Sequence, residues 1–136
     1  MKKLILAAGC MLMITGCSNH TEQIDVVKSH MKTNYQMPDE EISSYKFEAD
    51  EAEDKDAYKH IANNYTKQYH KYEKAHPDIA ELALTKAANY NTLAENASKK
   101  TFYIVEAYST DGGDTIHKKI FYIDDKNAII DISNLK

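Results

Sequence analysis

Three strand-forming runs joined by two short turns fill the last third of the chain, and they limit the fold more than any other feature. The runs cover residues 101–108, 115–123 and 128–132 and are rich in aromatic and β-branched residues. Asp111-Gly112-Gly113-Asp114 is typical of a hairpin turn, and residues 124–127 form a second short connection. Strands joined this closely pair antiparallel. The sequence therefore predicts a C-terminal three-stranded meander.

The first of these runs is apolar on both faces. Alternation along a strand places Phe102, Ile104 and Tyr108 on one face and Tyr103, Val105 and Ala107 on the other. A strand that is apolar on both sides is buried on both sides. We therefore expect it to be central in the sheet, with helices covering at least one side.

Helical periodicity dominates residues 54–98. Apolar and tyrosine side chains recur there at steps of three and four residues, as on one face of a helix. Pro77 is tolerated in the first turn of a helix but is costly inside one. We predict two helices, 54–75 and 77–98, that meet at His76-Pro77; one kinked helix is the alternative. The acidic run 50–56 is interpreted as a solvated helix start, where negative charge is favourable.

The region before residue 54 predicts one helix and one strand. The helix is expected to begin near Thr21, with Asn19 as N-cap and Glu22 as its capping-box partner, and to end at Met37-Pro38. Residues 43–50 then alternate between apolar and charged side chains, which indicates a half-buried strand. We therefore predict an α+β fold, with helices on one face of an antiparallel sheet of about four strands.

The first 16 residues have the pattern of a secretion signal. Lys2 and Lys3 are followed by an uncharged apolar run, 4–14, which also contains Cys10. This run has 11 residues, whereas a bilayer-spanning helix needs about 20. We therefore expect a cleaved signal rather than a permanent span.

The residues at the end of this signal resemble the bacterial lipobox. Ile14-Thr15-Gly16-Cys17 matches its order of one aliphatic residue, two small residues and cysteine. The resemblance implies cleavage before Cys17 and a diacylglyceryl group on its thiol, with further acylation such as palmitate giving stable anchoring. The alternative is an ordinary signal with an unmodified cysteine. The expected organisation is a signal peptide at 1–16, a lipidated cysteine and short tether at 17–20, and a single domain at 21–136.

The lipobox, the small size and the closing meander together resemble the cystatin-like-fold lipoproteins of Gram-positive bacteria. That resemblance implies a cell-membrane location, lipid-anchored on the extracytoplasmic face, and an α+β fold. It implies no defined shared activity.

The composition of the mature chain excludes several classes of function. Without Lys2 and Lys3 it has 15 basic and 21 acidic side chains, a net charge of −6, and it contains no arginine. Nucleic-acid binding needs a basic surface, so we expect no nucleic-acid partner. No cysteine follows Cys17, which excludes disulfides, zinc–thiolate sites and cysteine catalysis in the domain.

A row of tyrosines is the main candidate for a ligand site. Tyrosine offers an apolar ring with a polar tip, so such a row could line a groove for a peptide, glycan or apolar ligand. Core packing against the sheet explains the spacing equally well. The candidate lining residues are Tyr58, Tyr65, Tyr69, Tyr72 and Tyr90.

No catalytic or metal-binding motif is recognised. The histidines lack a known metal signature, the turn at 111–114 lacks the further oxygen ligands of a calcium loop, and Ser43-x-x-Lys46 lacks its companion motifs. We expect no cofactor and no enzymatic activity. The expected function is that of a membrane-anchored, non-catalytic binding or exclusion module acting on an envelope or protein partner. A small-ligand carrier or sensor with a tyrosine-lined pocket is the alternative, and an enzyme or inhibitor with an unrecognised site is a third.

Overall fold

A four-stranded antiparallel sheet forms the centre of the fold, with its last three strands in a meander as predicted. The structure, a computed structural model, describes residues 20–111 and 114–135. The strands lie in the sheet in chain order, β1-β2-β3-β4. The elements are α1 (Thr21–Asn34), α2 (Asp39–Ser43), β1 (Lys46–Glu53), α3 (Asp54–Tyr72), α4 (Pro77–Glu95), β2 (Thr101–Asp111), β3 (Asp114–Ile123) and β4 (Ile129–Leu135). The expected α+β class is confirmed.

One face of the sheet packs against α1 and α2. The register aligns Ala49, Val105, Phe121 and Ile132 in a row across the four strands. Val105 and Phe121 are fully buried against Val27 and Met31 of α1. The apolar stripe of α1 therefore forms a core with this face, which stabilises a helix that would be marginal alone.

The opposite face packs against α3. Ile120 and Tyr122 alternate with Phe121 along β3 and point to this second side, where they bury Ile61 of α3. Both central strands are thus covered on both sides, which is why the run at 101–108 is apolar on both faces. Helices lie on both faces of the sheet rather than on the single face expected.

The two helices of the middle segment form a hairpin. α3 ends at Tyr72 and Pro77 occupies the first turn of α4, so the prediction of two helices is confirmed and the single kinked helix does not form. α4 packs along α3, and α3 rather than α4 lies against the strands. Small buried side chains at their contact allow the helices to approach closely: Ala62, Ala80, Ala83 and Ala87.

The start of α1 differs from its prediction. Its N-cap is His20, without a side-chain capping bond, and the predicted cap, Asn19, lies outside the described residues. The Glu22 carboxylate, expected in a capping box, instead accepts a hydrogen bond from the Asn127 side chain at 2.7 Å. Gln23 donates to Asn127 Oδ1 at 2.9 Å. The first turn of α1 is thus fixed to the connection between β3 and β4.

That connection is a tight turn, as predicted. The Asp124 carboxylate accepts hydrogen bonds from the backbone N–H groups of Lys126 and Ala128, at 2.8 and 2.9 Å. Asn127 has φ 62°, a left-handed conformation that asparagine tolerates better than most residues. At the other turn Asp111 pairs with Asp114, and Gly112 and Gly113 lie outside the described residues.

Two features of the early segment were not predicted in this form. A short helix, α2, follows Pro38 and buries Ile42. The strand expected at 43–50 begins later, at Lys46, and extends to Glu53. Within the ranges described, none of the helices combines the length and the apolar character that crossing a bilayer requires.

Candidate functional site

The tyrosine row divides into two groups. Tyr58, Tyr65 and Tyr90 lie between the α3–α4 hairpin and the sheet, whereas Tyr69 and Tyr72 lie at the far end of α3. All five are half-buried. The row is therefore neither a fully buried core stripe nor an open groove along its whole length.

Asp131 of β4 joins the helical hairpin to the sheet. The hydroxyls of Tyr65 and Tyr90 donate hydrogen bonds to its Oδ2 atom at 2.9 and 2.8 Å. The two rings stack with centroids 6.0 Å apart and planes 9° apart. Burial, together with the Asp131 carboxylate, raises the pKa of both tyrosines well above the ordinary value, so both stay protonated as donors. These two hydroxyls are thus committed to a contact within the protein.

Tyr58 borders a cleft at one end of the sheet. Its ring packs edge-to-face on Phe102, with centroids 5.3 Å apart. The cleft has a volume of about 240 Å³ and is lined by Asp54, Tyr58, Leu93, Asn96, Ala97, Ser98, Lys100, Phe102, Asp124, Asp125, Lys126 and Ile130. Burial raises the pKa of Tyr58, and the nearby carboxylates of Asp54, Asp124 and Asp125 raise it further.

Tyr69 borders a separate hollow between the two helices. This hollow, of about 260 Å³, is lined by Tyr69, Glu73, Pro77, Ala80, Glu81 and Leu84. Tyr72 lies beside His76, with ring centroids 6.0 Å apart. The structure therefore does not bring the five predicted tyrosines together around one cavity.

A polar cluster that the sequence did not indicate lies between α3 and β3. The hydroxyl of Tyr122, a fully buried residue, accepts a hydrogen bond from Asn64 at 2.7 Å and lies within hydrogen-bonding distance of His60 Nδ1, at 2.6 Å. Burial raises the pKa of Tyr122, so its hydroxyl is a donor at neutral pH. The cluster fastens α3 to β3.

Asp54 is the exception within an acidic run that was interpreted as solvated. It is only 3 % exposed, and its carboxylate accepts hydrogen bonds from the backbone N–H groups of Lys55, Ser98 and Lys99 at 2.8, 2.9 and 3.2 Å. Burial acts to raise the pKa of this carboxyl, but the backbone hydrogen bonds outweigh burial and lower it below its ordinary value. The carboxylate therefore ties the start of α3 to the loop that follows α4.

The other residues considered for chemistry show no convergence. Among residues 20–111 and 114–135, no three histidine, cysteine, aspartate or glutamate side chains cluster in a way that could hold a metal ion. The Ser43 hydroxyl donates to the backbone oxygen of Glu40 at 2.7 Å. The residues of the lipobox, Ile14, Thr15, Gly16 and Cys17, lie outside the described residues.

Among the described residues, no strand pairs with the outer edge of β4. A hollow of about 350 Å³ follows this edge and is lined by His30, Tyr65, Ile129, Ile130, Asp131 and Ile132. Large apolar side chains of α4 are also exposed: Ile79, Leu82, Leu84 and Leu93. Ile79, Leu82 and Leu93 belong to the helical spacing predicted for residues 77–98, but the buried residues of α4 are all alanines.

Comparison of the chain with known protein families, with curated protein sequences and with solved structures finds no match.

Proposed function

We propose that this protein is a lipoprotein anchored to the cell membrane through Cys17, and that its domain is a non-catalytic module that binds or excludes an envelope or protein partner. The anchor is supported by the order Ile14-Thr15-Gly16-Cys17 after a short apolar run. The resemblance to the small cystatin-like-fold lipoproteins supports the same location.

The short tether would hold the domain at the membrane surface. Residues 18–20 separate Cys17 from the first residue of α1, and three residues span at most about 10 Å. The end of the domain where α1 begins would therefore face the membrane. A module held this close is suited to partners in or on the same membrane.

The observation that carries the binding function is the apolar surface of α4. Leu82 is 58 % exposed, and Ile79, Leu84 and Leu93 are each more than 40 % exposed. A single exposed leucine is ordinary, but several large apolar side chains exposed on one helix are typical of an interaction site. The hydroxyls of Tyr65 and Tyr90 are, by contrast, bonded to Asp131.

A small-ligand carrier remains the second candidate, and the cleft beside Tyr58 is the observation that favours it. Its walls combine apolar Leu93 and Phe102 with charged Lys100 and Lys126. An amphipathic ligand of about the size of the cleft would suit this lining.

The anchor can be tested by the mass of the mature N-terminus in cells that express the full chain. The native chain should carry a diacylglyceryl group on its first residue, and Cys17→Ala should remove it. Cys10→Ala is the matched control, because Cys10 would be discarded with the signal. Lipidation that persists in Cys17→Ala would contradict the assignment.

The binding function can be tested by cross-linking in the same cells. We expect a specific envelope or protein partner with the native chain, and less or none with Cys17→Ala. If neither chain is cross-linked to a partner and the purified chain instead retains a small molecule in the cleft, the carrier is the better description.

A further inference from the structure

The two edges of the sheet differ in how well they resist an added strand. Exposed charges on an edge strand oppose pairing with another chain. Among the described residues no strand pairs with the outer side of β4, whose acidic residue, Asp131, is bonded to two tyrosines. β1, at the opposite edge, carries exposed Glu48, Asp50, Glu51 and Glu53.

Side chains from both faces border the open edge of β4. Ile129 and Ile132 lie half-buried on the face that packs against α1, next to His30. Tyr65 and Asp131 lie on the face that packs against α3. The hollow therefore extends to both sides of the strand, so the alternate side chains of an added strand would each find a wall.

One flank of α4 extends this surface. Lys86 and Leu93 are separated from Tyr90 by four and three residues, so all three share a flank. Tyr90 reaches β4, where its hydroxyl lies 3.3 Å from the backbone oxygen of Ile130, and Lys86 lies over the Tyr65 ring. Ile79 and Leu82 fall on the same flank at helical spacing and are exposed, so the apolar side chains of this flank continue towards the start of α4.

We propose that the outer edge of β4 and this flank of α4 form a groove that accepts an extended segment of a partner polypeptide as a fifth strand. The inference deepens the proposed function as a binding module and rests on it. Main-chain hydrogen bonds to β4 would supply affinity, and contacts with Leu82 and Ile132 would select apolar side chains at alternate positions. Lys86 lies over the Tyr65 ring, beside the groove. It forms no ion pair with an aspartate or glutamate among the described residues. An acidic residue in the bound segment is therefore favoured.

A second copy of this chain fits the edge less well than a single extended segment. α4 packs on α3 and reaches β4 through Tyr90, so part of α4 lies close to this edge. Two copies joined edge to edge would bring their α4 helices towards each other, and packed helices need axes about 8–10 Å apart.

The test is a selection from a random library of displayed peptides of about ten residues, the length of a long strand. The bait is the full lipidated chain in detergent micelles. We expect enriched peptides with alternating apolar residues and an aspartate or glutamate. Leu82→Lys should weaken their binding about tenfold or more. Leu84→Lys is the matched control, since Leu84 is similarly exposed but borders the hollow beside Tyr69.

A second readout leaves the protein unchanged. An enriched peptide is resynthesised with N-methyl groups at alternate residues, once in each of the two registers. A strand added to β4 uses the N–H groups of one register only, so one methylated peptide should bind and the other should not. The proposal would be overturned if methylation in the two registers changed peptide binding equally, if the enriched peptides formed helices, or if no peptide were enriched. Self-association of the chain that Leu82→Lys abolishes would overturn it in favour of a second copy.

Cross-linking in cells separates this proposal from the proposed function. Photo-reactive residues are placed at Leu82, at Leu84 and at Glu48 on the opposite edge. A partner captured from Leu84 or Glu48 but not from Leu82 would leave the binding module intact and overturn the groove. No partner from any position would contradict the proposed function itself.

Discussion

Asparagine in place of Asp54 is expected to lower the free energy of unfolding by about 2 kcal/mol. The carboxylate uses Oδ1 for Lys55 and Lys99 and Oδ2 for Ser98. An asparagine keeps one acceptor oxygen and presents an amide NH₂ in place of the other, so at least one of these bonds is lost. A hydrogen bond to a charged group contributes about 1.5–3 kcal/mol, and the exposed loop allows water to replace part of it.

Alanine at the same position should cost more, about 3–4 kcal/mol, because all three N–H groups lose their acceptor. The loop that contains these donors also holds Lys99 at φ 65°, a left-handed conformation that is unfavourable for lysine. Asp56→Asn is the control: Asp56 lies in the same first turn of α3 but is exposed, so its substitution should change stability by less than about 0.5 kcal/mol.

The contribution of Asp54 also has a defined pH dependence. Its pKa in the folded protein is lowered, so its stabilisation is complete above the ordinary pKa of an aspartate and is lost as the pH falls towards the folded pKa. The difference in unfolding free energy between the native chain and Asp54→Asn should therefore shrink below about pH 4.

Urea unfolding followed by circular dichroism measures all three variants, and the ten tyrosines provide a second signal in a chain without tryptophan. Equal destabilisation by Asp54→Asn and Asp56→Asn would refute the reasoning. If the difference in unfolding free energy between the native chain and Asp54→Asn were unchanged at pH 2–3, the assignment of that difference to the charge of Asp54 would be refuted.

Two further substitutions test the contacts that join the helices to the sheet, and a third tests the exposure of Leu82. Asp131→Asn should lower the unfolding free energy by about 1–3 kcal/mol in urea unfolding, because two tyrosine hydroxyls lose a charged acceptor. Tyr122→Phe should cost about 1–2 kcal/mol in the same assay, since the buried Asn64 amide loses its acceptor. Leu82→Gln should change stability by less than about 0.5 kcal/mol, because Leu82 is exposed; a larger loss would show that it packs within the fold.

The local part of the fold could be predicted from the sequence because its signals are local. The meander follows from strand formers and turn residues within a few positions of one another, and the break between α3 and α4 follows from Pro77 alone. α2 was missed because five residues are too few for a helical period to be recognised. The run at 101–108 did contain the information that both faces are covered, but not which helix covers which face.

The residues of the candidate site were harder to predict, because they depend on pairs far apart in the chain. Tyr122 and His60 are 62 positions apart, and Tyr65 and Asp131 are 66 apart. Nothing in the run of acids at 50–56 distinguishes Asp54 from its neighbours until the loop after α4 folds against it. The spacing of the tyrosines indicated the helix correctly, but the sheet decides which hydroxyls are bonded.

The orientation set by the proposed anchor bears on what the groove could receive. Glu22 and Gln23, in the first turn of α1, bond to Asn127 in the turn before β4. With Cys17 in the membrane, this turn and the start of β4 would lie near the bilayer, within the reach of a tether of about 10 Å. An extended segment along β4 would then run from the membrane surface outwards.

The region of a membrane protein that follows its transmembrane helix has this placement, whereas a freely diffusing peptide has no such constraint. Weaker capture of a membrane partner after the tether is lengthened would therefore agree with the proposed site, whereas capture of a soluble partner would not depend on tether length.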